Sequence, residues 1–328
     1  MAVLVTGSIA TDHLMTFSGR FTDSLVADKL ASISLSFLAD DLQVRRGGVA
    51  PNICYGMGLL GLRPVLVGAA GTDFGDYRAW LERHGVDTSG VHISDLHHTA
   101  RFVCTTDAEH NQIATFYAGA MSQAREIELL PIARERGGCD MVVIGANDPD
   151  AMLRHTDECR YRGYSFVADP SQQLARMDGP EIKRLVAGAS LLLTNEYEAA
   201  LIEQKTGWTS QQVLAKVGTR VTTLGAKGAM VESERDPTIS VPVPPERARV
   251  DPTGVGDAFR AGYLAGQTWG LGPQRSAELG CTLATLVIET VGTQEYDLQQ
   301  GRFLSRLNEF YGREAADEVR EHLPRFAG

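Results

Sequence analysis

Residues 251–262 read DPTGVGDAFRAG, and the reading of this stretch decides the fold. It joins a flexible glycine loop to a carboxylate and then to an apolar helical continuation. Gly254 and Gly256 let backbone N–H groups converge on an anion, and Asp257 opens a helix whose positive end faces the same point. That arrangement suits phosphoryl transfer. The amides from Gly254 through Val255 to Gly256 would form an anion hole while Asp257 takes a proton from an attacking hydroxyl. A glycine-rich turn with Asp257 as a plain helix N-cap fits the same string.

Three further segments carry polar chemistry. GGVAPN at 47–52 runs into the apolar stretch ICYGMGLLG. Two adjacent glycines would let a ligand lie against bare backbone, and Asn52 offers a donor and an acceptor to a polyhydroxylated ligand; alone, the segment is a strand-to-helix turn. Asn195 and Glu198 in TNEYE follow the apolar run SLLLT. Their i, i+3 spacing puts them on one helix face, which is also ordinary on a solvated helix. TLGAKG at 223–228 places Thr223, Gly225 and Gly228 in what reads as any hairpin turn.

Around these motifs, short apolar runs alternate with segments of helical period, the pattern of a parallel sheet with helices on both faces. Strands are expected over Ala2 to Thr6, Val65 to Ala69, Met141 to Gly145, Phe166 to Asp169, Leu191 to Thr194 and Arg220 to Leu224. Ser8, Asn147, Asp169 and Asn195 then fall where strands end, the edge at which such sheets bind ligands. Segments 13–46 and 99–117 break the alternation. They read as a small separate sheet over the site, or else as an antiparallel edge of the main one. The stretch from Gln299 to Phe326 reads as terminal helices, and no internal repeat is evident.

The GG…N segment, the N-x-x-E segment, the TLGAKG turn and the D-x-x-G-x-G-D loop occur in the order found in the ribokinase-like (PfkB) carbohydrate kinases, which this chain resembles. The resemblance implies a doubly wound α/β kinase domain over residues 1–328, with the two irregular segments forming a lid often shared across a homodimer. It further implies Asp257 as catalytic base. Asn195, Thr223, Gly225, Gly228 and Gly256 would meet ATP, and Glu198 would hold magnesium through water. A potassium requirement stays open. Within the family the chain resembles bacterial adenosine kinases of the actinobacterial type, on VTGSIATDHLM, SLSFLADDL (34–42), IGANDPDAM (144–152), ADPSQQLARM (168–177) and VGTQEY (291–296). By that likeness Ser8, Asp12, Ser36, Gly48 and Asn52 would contact the ribose of adenosine, Phe102 and Phe116 would hold the purine ring, and Gln172 and Gln173 would read its edge. Val255 departs from the family, where many sugar kinases carry alanine. A kinase of free sugars and a catalytically silent nucleoside sensor remain as other readings; no G-x-G-x-x-G follows the first strand, which weighs against a Rossmann oxidoreductase.

Composition narrows the partners. The chain has 328 residues, 43% hydrophobic and 22% charged, enough for a large core and against wholesale disorder. A net charge of −10 argues against nucleic acid or an anionic membrane as partner, so ATP must be met by local positive potential and magnesium. Five cysteines without C-x-x-C spacing read as reduced core thiols. With no signal-like start and no run long enough to span a bilayer, a cytoplasmic location is expected. His97 and His98, adjacent, cannot easily chelate one metal. Arg45 and Arg46 beside the glycine turn read as solvated. Arg176 could pair with Asp257 or lie on the surface.

Overall fold

A computed structural model describes residues 2–24 and 35–324 of the chain. In chain order its strands are β1 (Val3–Thr6), β2 (Ala10–Thr16), β3 (Asp41–Gly47), β4 (Val65–Gly71), β5 (Asp87–Ser94), β6 (Ala100–Thr106), β7 (Gln112–Tyr117), β8 (Met141–Ile144), β9 (Phe166–Ala168), β10 (Leu191–Asn195), β11 (Thr219–Thr223), β12 (Ala229–Glu232) and β13 (Ile239–Val241). The valine- and leucine-rich runs lie in the large sheet, ordered β13-β12-β11-β10-β9-β8-β1-β4-β5. Pairing is parallel from β11 through to β5, and antiparallel only where β12 and β13 close one edge.

Alternation along the strands divides the core in two. Val3 and Val5 of β1 and Val143 of β8 point to one face, with the helices Val49–Leu59, Val255–Thr268 and Pro273–Ile288. Leu4, Val142 and Ile144 point to the other, against the helices Pro149–Arg162 and Gly179–Val186. Strands buried on both faces carry continuous apolar runs, which is why the sequence shows them so plainly. The helices 255–268 and 273–288 pack closely because Gly262 and Gly280 face each other; a methyl on Gly262 would stand 2.7 Å from the Gly280 Cα. The terminal helices expected after Gln299 are Gln300–Tyr311 and Arg313–His322.

The two irregular segments form a separate four-stranded sheet, ordered β3-β2-β6-β7. It starts at Ala10, three residues earlier than the sequence suggested, and residues 25–34 of that span lie outside the described residues. Its register aligns Arg45, Asp12, Phe102 and Phe116 in one row across all four strands. Period-2 alternation therefore puts these side chains on one face of the sheet. Among the described residues, no helix is long and apolar enough to cross a membrane, and the five cysteines are free, Cys139 alone not fully buried.

Candidate active site

The glycine loop is built as a helix entrance. Gly254 adopts φ 79°, caps the helix Val255–Thr268 and makes no side-chain capping bond. Asp257 is thus the third residue of the helix rather than its N-cap, which removes the plain capping reading. Loop residues diverge to two sides. Thr253, Gly254 and Asp257 line one cleft of about 450 Å³, whereas Pro252, Val255 and Gly256 line a second of about 430 Å³. Both volumes suit a small-molecule site.

Most of the expected acceptor-site residues meet in the first cleft: Ser8, Asp12, Gly48, Asn52, Phe102, Phe116, Gln172 and Gln173 all line it, with Arg176. Arg176 forms no ion pair with Asp257 among the described residues. Ser36 does not reach this cleft. Its neighbour Phe37 packs on Phe17 and Phe21, with ring centroids 5.0 and 4.9 Å away, and Ser36 itself is exposed. Gly48 is required by the backbone rather than by a ligand, since φ is 97° and a Cβ would stand 2.4 Å from the Ser8 carbonyl oxygen. Burial pushes the Asp12 carboxyl up to about 6 against the pull of Arg45.

The second cleft gathers Asn195, Thr223, Gly225 and Gly228 with the 273–288 helix, whose Ala284, Thr285 and Ile288 form an apolar wall. The TLGAKG segment is indeed a hairpin turn, between β11 and β12, and it also lines this cleft. Asn195 caps the helix Glu196–Thr206 and Glu198 is its N3 residue; each side chain accepts the other's backbone N–H in a capping box. Glu198 Oε2 is used in this way. Its Oε1 receives no hydrogen bond from the described residues, leaving an acceptor that fits water on a hard cation.

At the junction, Asn52 Nδ2 donates to Asp257 Oδ2 over 2.8 Å. Asp257 opens partly to the cleft, and burial on its other sides raises its pKa; Arg260 and the Asn52 hydrogen bond oppose that rise, and Glu198 adds to it. Arg260, one turn on, was not singled out from the sequence. It is buried with Nε 2.6 Å from Asp169 Oδ2 and Nη2 3.7 Å from Glu198 Oε2. Burial alone would lower its pKa, and the carboxylates of Asp169, Asp257 and Glu198 more than reverse that. Asp169, fully buried, is pushed up to about 7. The guanidinium is a buried positive charge beside the glycine loop, shared among three carboxylates. A run of buried residues from Ala258 to Gly266 interrupted by one arginine was the available signal.

Comparison with known proteins agrees with this geometry. The chain is 30% identical over 272 residues to a nucleoside kinase of Methanothermobacter thermautotrophicus, covering 82% of this chain and 86% of the relative. The ligand-free nucleoside kinase of Burkholderia thailandensis superposes with a TM-score of 0.85 at 33% identity, over 93% of this chain and 99% of that one. The same enzyme in complex with ADP-inosine gives 0.80 at 32% identity, covering 95% and 96%. Residues 11–300 match the family described as pfkB family carbohydrate kinase, and the chain belongs to that family.

Proposed function

We propose that the chain transfers the γ-phosphoryl group of ATP to the 5′-hydroxyl of adenosine, giving AMP and ADP. The observation that carries this is the glycine loop lying between two clefts, with Asp257 opening onto the one roofed by Phe102 and Phe116. Asp257 accepts the hydroxyl proton, the oxygen bonds to the γ-phosphorus, and the bond to the bridging oxygen breaks with its electron pair leaving on ADP. Amides from Gly254 to Gly256, at a helix N-terminus, face the charge that develops. Magnesium would neutralise the ATP phosphates, held through water by Glu198 beside Asn195.

The relatives named nucleoside kinases, one of them in complex with ADP-inosine, support a nucleoside acceptor. Adenosine within that class rests on the resemblance to bacterial adenosine kinases, with Gln172 and Gln173 in the cleft as the residues that would read the purine edge. An ATP-coupled assay over adenosine, guanosine, inosine, ribose and fructose tests the reading; preferential use of a free sugar would overturn it. The same assay with potassium exchanged for a bulky organic cation tests a potassium requirement. A cytoplasmic location goes with that reading.

The small sheet is the lid, and a second copy of the chain is its partner. Its outer face aligns Leu42, Met15, Thr105 and Ile113 in one row, and Val44, His13, Val103 and Thr115 in the next. Leu42, Val44 and Ile113 are exposed large hydrophobics, a patch of the kind that marks an interface. Val44→Lys is expected to convert a dimer to a monomer in light scattering. A wild-type chain that is monomeric throughout removes this assignment.

A further inference from the structure

We propose that Gln294 is a positioning residue for phosphoryl transfer, fixing the orientation of the Asn52 carboxamide, and through it Asp257, while tying both to the hinge of the lid. The inference rests on the kinase reading above but not on which nucleoside is used.

A carboxamide has two nearly isosteric orientations that exchange donor for acceptor. At Asn52 the choice matters, because a carboxylate accepts only: Nδ2 must face Asp257 Oδ2, as it does at 2.8 Å. The other end of the amide is held by Gln294, whose Nε2 donates to Asn52 Oδ1 over 2.9 Å. The second proton on that nitrogen goes to the Tyr77 hydroxyl oxygen over 2.5 Å. Tyr77 in turn donates to the Gly47 carbonyl over 2.9 Å. Every proton along this path is therefore assigned: donation runs outward from Gln294 Nε2, through Tyr77 to the Gly47 carbonyl on one side and through Asn52 to the Asp257 carboxylate on the other. Reversing Asn52 would set oxygen against oxygen at Asp257 and N–H against N–H at Gln294.

Two features indicate that the path serves more than packing. Gln294 is 1% exposed and its Oε1 has no hydrogen-bond partner among the described residues, an unfavourable state for a buried polar atom. A leucine would fill similar space without that cost. Gln294 also belongs to a segment that touches both signature motifs. Gly292 N donates to Asp251 Oδ2 at the start of the catalytic loop, and Thr293 Oγ1 donates to the Arg46 carbonyl. Arg46 and Gly47 end β3, where the small sheet passes through Gly48 into the helix Val49–Leu59. Movement of the lid thus bears on the hydrogen bonds that aim the base.

A double-mutant cycle in kcat tests this, using Gln294→Leu, Asn52→Ala and their combination, with the wild type's best nucleoside as acceptor. Positioning predicts that Gln294→Leu lowers kcat by at least about 10-fold with KM for ATP little changed, and has almost no further effect in the Asn52→Ala background. Gln294→Glu, which keeps the shape but lacks the donor, should be no better than leucine. Tyr77→Phe removes the tie to Gly47 without emptying the core; it should give a smaller kcat loss that also disappears with Asn52→Ala, and it carries the cycle should the Gln294 variants not fold. Turnover of Gln294→Leu or Gln294→Glu close to wild type, or equal losses in both backgrounds, overturns the inference. A wild type that phosphorylates no nucleoside would instead sink the proposed function, so the two failures are told apart.

Discussion

Arg260 Nε lies 2.6 Å from Asp169 Oδ2, an ion pair sealed from solvent that joins the catalytic helix to the end of β9. The N–H does not point along that contact, and neither Asp169 oxygen receives an aligned hydrogen bond. The interaction is chiefly charge on charge, where low dielectric makes it strong and desolvation makes it costly. One guanidinium thus serves three carboxylates, those of Asp169, Glu198 and Asp257. It does so directly beneath the anion loop: a methyl on Gly256 would stand 2.7 Å from Arg260 Nη1. The second glycine of GVG makes room for this charge.

Asp169→Asn isolates the titration of that pair. The folded pKa of Asp169, about 7, lies above its ordinary 3.8. Its contribution to stability is therefore fully present below about pH 4 and is lost as pH rises through about 7, because only the unfolded chain ionises the group freely in between. The asparagine variant lacks this loss. The difference in Tm, variant minus wild type, is expected to rise between pH 5 and 8. A flat difference would mean that Asp169 is ionised in the folded protein throughout that range.

Asp257→Asn should leave nucleoside binding largely intact while lowering kcat by roughly 10² to 10⁴-fold, the usual cost of losing a general base. The wild-type acid limb should lie above the ordinary carboxylate range, since burial raises Asp257 despite Arg260 and Asn52, with Glu198 adding to the rise. That limb should be absent from the residual activity of the variant. Near-normal turnover would remove Asp257 from the role of base.

Glu198→Gln should raise the magnesium concentration for half-maximal activity more than it alters nucleoside affinity. The capping bond survives, because a glutamine oxygen still accepts the Asn195 N–H now taken by Glu198 Oε2. What is lost is charge at the free oxygen, where metal-bound water would sit. An unchanged magnesium titration would reduce Glu198 to a helix cap and a neighbour of Arg260.

The large sheet was legible because strands buried on both faces leave continuous runs such as VLVT and SLLLT. The small sheet was legible as an interruption of α/β alternation, though not its register. That register needs pairing between strands far apart in sequence, as between Asp12 and Phe102. The anion loop could be read from its glycines, since positive φ at Gly254 leaves a local mark. Arg260 left only an arginine inside an apolar run, Asp169 only its place at a strand end, and Gln294 nothing beyond its place in VGTQEY. Their roles come from what lies opposite them in space, and an arginine in a helix or a glutamine in a loop has no spacing that distinguishes it from solvated ones. Ser36 shows the converse, a residue named by likeness whose place here is set by the packing of Phe37.

Substrate choice turns on Phe102 and Phe116, which are register partners on β6 and β7 in the same row as Asp12. Among the described residues Phe116 remains 50% exposed, a large apolar ring facing a cleft that Gln172 and Gln173 also line. A flat base would cover that surface; a free pentose has nothing to stack there. Replacing either ring with alanine should remove aromatic contact worth about 0.5 to 1.5 kcal/mol beyond area burial, lowering kcat/KM for adenosine roughly 2- to 13-fold or more. Ribose, if it is phosphorylated at all, should be nearly indifferent, because it carries no base to lie against the rings. The measurement is kcat/KM for adenosine, inosine and ribose in wild type and both variants. Losses shared by adenosine and inosine but not ribose would place the rings on the purine plane. Equal losses for all three would sink the nucleoside assignment and leave the kinase fold and the chemistry at Asp257 standing.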